Sequence, residues 1–441
     1  MSREALLLLG ACRIDVTPER PVPLAGFAVR SGLGPYASVH RPIHARIFAL
    51  ADADDSPEPG GEQPASRRAA VVVSADLLWW GGDRVPAFKR LVAARYGLDE
   101  DAVLLHGTHS HSAPMAGFAF TSYLGAPDTA YIETLEARVL TGIGEALAAM
   151  APVRVLRGSG EFALGINRRG LLRSPPETGP VDHELTVVRF MADDPGREER
   201  TVAVWLHYAC HPVITDENRL SDEYPGVAAE HLERQLGGGA VVGFLQGACG
   251  DINPGDGVRV IRGGAAEVAA CGAALAEAAQ RVLAGALRSV APRPGGIGWR
   301  RRVTPLPLQP LPARERLEQG MAQAGVDGEW CRIQLARFAG LQPWLPFEAT
   351  VLAVADGLSL LGMNAEAVVA YGLLAKRLSA GAVLPLGYTN GMIGYVVTAA
   401  MLDEGGYEPD ASTIYFAMPA PFAHEAEAIV RDTLAELLLP D

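Results

Sequence analysis

Residues 102–117, AVLLHGTHSHSAPMAG, set an apolar run against a turn that carries His106, His109 and His111. Ala102, Val103, Leu104 and Leu105 read as a buried strand, and the chain then breaks at Gly107 and again at Pro114. In extended backbone, residues two apart face the same way, so the spacing places His109 and His111 together at the strand end. Two imidazoles converging at the mouth of a sheet are a common start for a metal site. The same residues also suit a polar strand end whose histidines bond only to backbone.

Upstream, residues 69–78 are β-branched and end near Asp76, and helical spacing follows over 85–96 before the histidine strand. Strand, helix, strand in that order is a βαβ unit. The polar tract 52–66, DADDSPEPGGEQPAS, has the composition of a hairpin loop. Downstream, the pattern predicts a helix over 131–150 capped by Asp128 or Thr129, a strand over 202–207 running into His211, helices over 227–236 and 265–287, and a strand over 241–245. A proline-rich connector at 304–312 opens a helical insertion over 305–346, with helices at 314–324 and 329–338. Packing against the body suits this insertion better than a lid. A hairpin over 347–354 and 358–363 turns at Asp356-Gly357. A helix over 366–377, a strand-like segment at 383–389 and a final helix over 422–438 follow. With no internal repeat and no long linker, these elements predict an α/β fold of layered mixed β-sheets flanked by helices, in a single large domain spanning 1–441.

At 441 residues, 49% hydrophobic and 20% charged, the chain can bury a large core. Its net charge of −13 argues against nucleic acid or an anionic membrane as partner. No apolar run is long enough for a transmembrane segment. Residues 6–12, LLLLGAC, look like the end of a lipoprotein leader, but the segment is short and only Arg3 precedes it. A first strand over 6–16 and a cytoplasmic location are the expectation. Cys12, Cys210, Cys249, Cys271 and Cys331 are scattered without CxxC spacing, which argues against a disulfide framework and a cysteine zinc site.

Polar blocks recur where strands stop: His211-Pro212, QGACGDINP at 246–254, Asn364-Ala365-Glu366, and the glycine-rich run from Gly387 to Tyr395. Taken in order, GTHSHSAP at 107–114, Asn167-Arg168, His211-Pro212, GDINP at 250–254, Glu366 with Gly372, Asn390 with Tyr395, and Tyr407-Glu408 resemble the blocks of the neutral ceramidase family, zinc-dependent amide hydrolases. Residues 10–17, GACRIDVT, are similar to that family's first strand.

The resemblance implies Zn²⁺ held by His109, His211, Glu366 and Tyr395, with an open position for a water whose pKa falls toward about 7. It implies that His111 contacts substrate or handles protons, and that Arg168 and Tyr407 stabilise an oxyanion. Other readings stand beside these: Glu366 as a helix-start carboxylate, and Tyr395 as a buried phenol with one hydrogen bond. His207 and His106 have no family counterpart; His207 reads as structural, His106 as structural or pocket-lining. Asp76 fits either an orienting partner for a ligand histidine or a simple cap. Phe118, Phe120, Tyr123 and Leu124 fit an acyl pocket or core equally.

The family's hexapeptide GDxSPN has a serine where this chain has Asn253, which cannot be a nucleophile but can donate a hydrogen bond. Attack by metal-activated water is the route this leaves. Cys249 reads as a small packed residue, with no base placed beside it. The chain also has no counterpart of the family's C-terminal immunoglobulin-like domain. The expected function is a zinc-dependent amidohydrolase cleaving an N-acyl amide bond, in a ceramide-like lipid or another small molecule. The alternatives are a zinc-stabilised binding protein that has lost catalysis, and a metallohydrolase of the amidohydrolase-barrel type, whose HxH belongs on the first barrel strand.

Overall fold

The structure, a computed structural model, describes residues 7–52, 68–172, 178–194 and 199–439; all but the first residue of the loop expected over 52–66 lies outside them. The β-branched run Ala69–Ala75 is buried at every position, as a strand covered on both faces must be. It pairs antiparallel with His44–Asp52 and parallel with Val103–Gly107, and helix Val85–Tyr96 makes the crossover. The expected βαβ unit is present. Its helix stops at Gly97, which takes a left-handed φ of 67°. Helix Thr129–Ala148 begins at Asp128, whose side chain accepts from the Tyr131 N–H.

These strands belong to a nine-stranded mixed sheet. From one edge the order is Val241–Gln246, Thr201–Tyr208, Glu184–Ala192, Ala151–Glu161, Leu7–Asp15, His44–Asp52, Ala69–Ala75 and Val103–Gly107, with Arg288–Val290 attached to Ala151–Glu161. Strand alternation sends Ile47, Val71, Val73 and Leu105 to one face, where they meet Phe88, Val92, Leu135 and Val139 of the two helices. It sends Phe48, Val72, Leu104 and Trp205 to the other, against Leu352, Leu360 and Leu384 of a second sheet. Trp205 is fully buried there between the rings of Phe48 and Phe190, at 5.7 and 4.8 Å. Truncating such a side chain costs about 3–5 kcal/mol.

The second sheet has four strands, in the order Gly298–Pro307, Trp344–Ala355, Leu358–Met363 and Val383–Leu386. Its central hairpin turns at Asp356-Gly357, with Gly357 at φ 69°. Helices Val369–Leu378 and Glu425–Leu438 pack on it. The fold is α/β with layered mixed sheets flanked by helices. Among the described residues no helix is long and apolar enough to cross a membrane.

Two expectations are corrected. Residues 304–307 are not connector but the end of an edge strand, where Pro305 lies opposite Pro346 and Pro307 opposite Trp344. An edge strand tolerates proline because the missing N–H has no second neighbour to serve. The helical excursion therefore runs over 308–343, with helices Arg314–Gly320 and Val326–Ala336. Second, Glu366 does not start a helix. Glu366–Ala367 is a two-residue strand, and the helix begins at Val369.

Candidate metal centre

The histidine turn departs from simple strand alternation. Val103–Gly107 stops two residues short of His109, which adopts a left-handed φ of 68°. A non-glycine residue held there is costly and persists only where its surroundings fix it. Here Ser110 fixes it: its N–H donates to the Leu77 carbonyl at 3.1 Å and its hydroxyl to the Ser221 carbonyl at 2.8 Å. His109 and His111 do converge, but the turn brings them together rather than a pleat.

His211 comes from the loop after Thr201–Tyr208, and its Nε2 lies 3.2 Å from Glu366 Oε2. His109 Nε2 lies 3.4 Å from the same oxygen, and His111 Nε2 lies 3.1 Å from His109 Nε2. All four side chains are buried. Each imidazole has its other nitrogen beside a backbone carbonyl: His109 Nδ1 at 3.0 Å from Leu78, His111 Nδ1 at 3.1 Å from Gly26, His211 Nδ1 at 3.0 Å from Ile252. A carbonyl only accepts, so every Nδ1 carries the proton and every Nε2 offers a lone pair to one point. Two lone pairs 3.1 Å apart with no proton between them repel, and a cation on His109 Nε2 or a proton on His111 Nε2 relieves it. The residues present fit a metal ion.

The charges agree with that donor set. Burial, then the neighbouring His109 and His211, push the His111 imidazole well below its ordinary range, and burial lowers His211 to about 4. Burial alone would raise the Glu366 carboxyl; His109 and His211 beside it outweigh burial and hold it well below the usual carboxylate range.

Tyr395 reaches the centre as the register partner of Glu366. Its hydroxyl oxygen accepts from Arg168 Nη2 at 3.2 Å. Burial and Glu366 raise its pKa while Arg168 pulls against them. Arg168 also donates from Nε to Glu408 at 2.7 Å, from Nη1 to Asn253 Oδ1 at 3.1 Å, and from Nη2 to the Gly250 carbonyl at 2.8 Å. Four of a guanidinium's five N–H groups are thereby committed, and one on Nη1 is left. Tyr407 opens a π-helical turn, Tyr407–Ala411, its ring 5.8 Å from that of Tyr395 and its side chain 43% exposed. Such wide turns are frequent at functional sites.

Aromatic rings enclose the centre. Tyr388 stacks on His109 at 3.8 Å; Trp79 lies nearly parallel to it at 5.8 Å and packs against Phe120 and Phe416. Of the four residues that fit an acyl pocket or core, Phe120 joins this wall, Leu124 is core, Tyr123 is half-buried and Phe118 is exposed. His207 donates to or accepts at no site group; its Nε2 bonds the Pro385 carbonyl at 2.9 Å. His106 is fully buried, and its Nε2 accepts from the Gln246 N–H. Cys249 is buried against the Tyr388 hydroxyl, and burial pushes its thiol up, as an inert packed cysteine requires. Asp76 orients no ligand. It pairs with Arg46 at 3.2 Å and caps the His44 N–H. A second group of possible ligands, His44, Asp76 and Asp222, is already crossed by Arg46 and Arg41.

Three positioning residues have roles that only contacts across the chain reveal, although Asp251 and Glu408 lie within the GDINP and Tyr407-Glu408 blocks. Glu408 takes Arg168 on one oxygen and Arg169 on the other, both at 2.7 Å. Asp251 accepts from the Val369 N–H and from Asn167, both at 2.8 Å, and so ties the GDINP loop to the helix after Glu366. Gly26 presses so close to His111 that an added Cβ would lie 2.5 Å from Nδ1.

No family model matches the chain. It is 27% identical to the neutral ceramidase of Pseudomonas aeruginosa over 271 residues, 56% of this chain and 39% of that protein. It is 28% identical to the neutral ceramidase of Mycobacterium tuberculosis over 242 residues, 49% of this chain and 36% of that protein. The matched stretch thus spans well under half of either relative. The fold superimposes on the crystal structure of neutral ceramidase from Pseudomonas aeruginosa with a TM-score of 0.75 at 20% identity, covering 99% of this chain and 76% of that one. It superimposes on a ceramidase complexed with C2 at a TM-score of 0.73 and 18% identity, covering 99% and 75%.

Proposed function

We propose that this neutral-ceramidase-like chain is a zinc-dependent amidohydrolase that cleaves an N-acyl amide bond, with His109, His211, Glu366 and Tyr395 holding the metal. The observation that carries this reading is the convergence of unprotonated Nε2 atoms on Glu366, each histidine fixed in its tautomer by a backbone carbonyl. Two imidazoles, a carboxylate and a phenolic oxygen suit Zn²⁺. Bound there, zinc supplies Lewis-acid activation of water at neutral pH.

The chain's own residues do the rest. His111, beside the ligands and fixed through Gly26, takes a proton at Nε2 from the attacking water and returns it to the leaving nitrogen. The remaining N–H of Arg168 and the Tyr407 hydroxyl would stabilise the developing oxyanion. Asn253 spends its amide oxygen on Arg168, which leaves its NH₂ group as a further donor. Trp79, Phe120 and Phe416 give an apolar wall for an acyl chain. We read the described residues as one hydrolase domain, in which the 308–343 excursion braces that wall: Trp330 donates to the Met418 carbonyl and Gln334 to that of Ala417.

The test is hydrolysis of a panel of N-acyl amides by purified protein with and without chelator. Turnover that is lost on chelation and regained with zinc supports the proposal. Metal retained without turnover of any amide supports the binding protein instead.

A further inference from the structure

His111 borders a second set of side chains, from the 25–33 loop and from the turn that follows Ile252–Pro254. The Phe27 ring lies 4.9 Å from the His111 ring. Two guanidiniums stand over Phe27, Arg30 at 4.9 Å and Arg262 at 5.8 Å from the ring centroid. Arg30 is 4% exposed, and acceptors on Asp216, Ala25, His111, Ser112 and Thr215 take its N–H groups; four are backbone carbonyls and one a hydroxyl. Among the described residues neither Arg30 nor Arg262 is in ion-pair contact with a carboxylate. Burial pushes the neighbouring Glu223 carboxyl up to about 8, which weakens the opposing charge it sets beside Arg30 and Arg262. Asp216 acts on both guanidiniums, but from the solvent-exposed side. Arg262 itself is exposed and spends one N–H on the Val213 carbonyl at 2.7 Å. Arg168, itself paired with Glu408, also acts on Arg262. A buried guanidinium whose N–H groups meet only neutral acceptors is expensive, and a bound anion nearby lowers that cost.

We propose that Arg262, backed by the buried charge of Arg30, is a carboxylate receptor, and that the substrate is an N-acyl amino acid. This narrows the amide-hydrolase reading above and rests on it. In an N-acyl amino acid the carboxylate stands one carbon beyond the scissile nitrogen. With the scissile carbonyl at the histidine cluster, that carboxylate would sit on the Arg262 fork beside Phe27. The reaction balances with one water: its oxygen joins the acyl carbon, the C–N bond breaks, and the nitrogen takes a proton through His111. The products are a fatty carboxylate and a free amino acid.

The experiment compares N-lauroylglycine with N-lauroylethanolamine, which differ in the carboxylate alone, on the zinc-loaded full chain. The expected preference for the glycine conjugate is about tenfold or more in kcat/KM, reduced toward unity by Arg262→Gln and partly kept by Arg262→Lys. No preference, or a preference that Arg262→Gln leaves intact, overturns the proposal. Calorimetric binding of N-lauroylglycine makes the test independent of turnover: about tenfold weaker binding to the Arg262→Gln protein supports the receptor, and equal binding overturns it. If binding discriminates but neither amide is cleaved, the receptor stands and the amide-hydrolase reading fails.

Discussion

Glu366 and Tyr395 are parallel register partners in a two-residue strand pair, with the Glu366 N–H donating to the Gly394 carbonyl at 3.0 Å. The backbone ladder thereby sets the spacing between a carboxylate and a phenol that come from separate segments. Glu366→Gln keeps the size and one carbonyl oxygen but removes the charge that faces two Nε2 atoms. It is expected to weaken zinc binding by at least about 100-fold without unfolding the chain. Competition with a chromophoric chelator, alongside far-UV circular dichroism, measures both.

Glu408 touches none of the histidines and acts on the site through Arg168. Glu408→Gln should lower kcat by about 10–100-fold while KM stays within about twofold, the pattern of an interaction felt mainly in the transition state. Steady-state kinetics decides it. Equal losses in thermal stability and in both constants would mark Glu408 as a packing residue only.

Gly26 and Gly32 make a matched pair. Both have left-handed φ, 97° and 83°, but a Cβ at Gly26 would collide with His111 whereas one at Gly32 meets nothing within 4 Å. Gly26→Ala should cost about 1–3 kcal/mol and most of the activity; Gly32→Ala should cost about 1 kcal/mol and leave turnover alone. Urea unfolding and a single amide assay separate the two effects.

Glu223 gives the pH dependence. Burial raises its carboxyl from an ordinary carboxylate value to about 8. The folded state therefore holds a proton that the unfolded state has released, and stability falls as pH rises toward 8, with a slope of up to about 1.4 kcal/mol per pH unit. Below the unfolded pKa the contribution is complete; above pH 8 it is gone. Glu223→Gln should flatten urea midpoints measured between pH 6 and 8. An unchanged slope would show that another group carries it.

The elements that sequence reveals best are those whose pattern is local. Residues 69–75 and 85–96 announce a buried strand and its crossover helix, and Asp128 caps where a side-chain oxygen before a helix should. Strand Gly298–Pro307 is hidden because its prolines look like linker until the edge position that tolerates them is known. Ala151–Glu161 and Glu184–Ala192 are hidden too, the first being broken up by Gly158, Gly160 and two arginines. At the site, the residues of the histidine, GDINP and tyrosine blocks stand out by type. The roles of their supports do not. Asp251 and Glu408 lie within those blocks, but what they and Gly26 do is set by contacts across the chain, and Glu366 reads as a helix start because its strand partner lies in a distant segment.

Zinc content per chain tests the central claim most directly. Elemental analysis of the purified protein after equilibration with zinc should find about one ion per native chain and far less in Glu366→Gln, with amide hydrolysis following the metal. A native chain that binds no zinc, or one whose hydrolysis survives complete metal removal, would contradict the account.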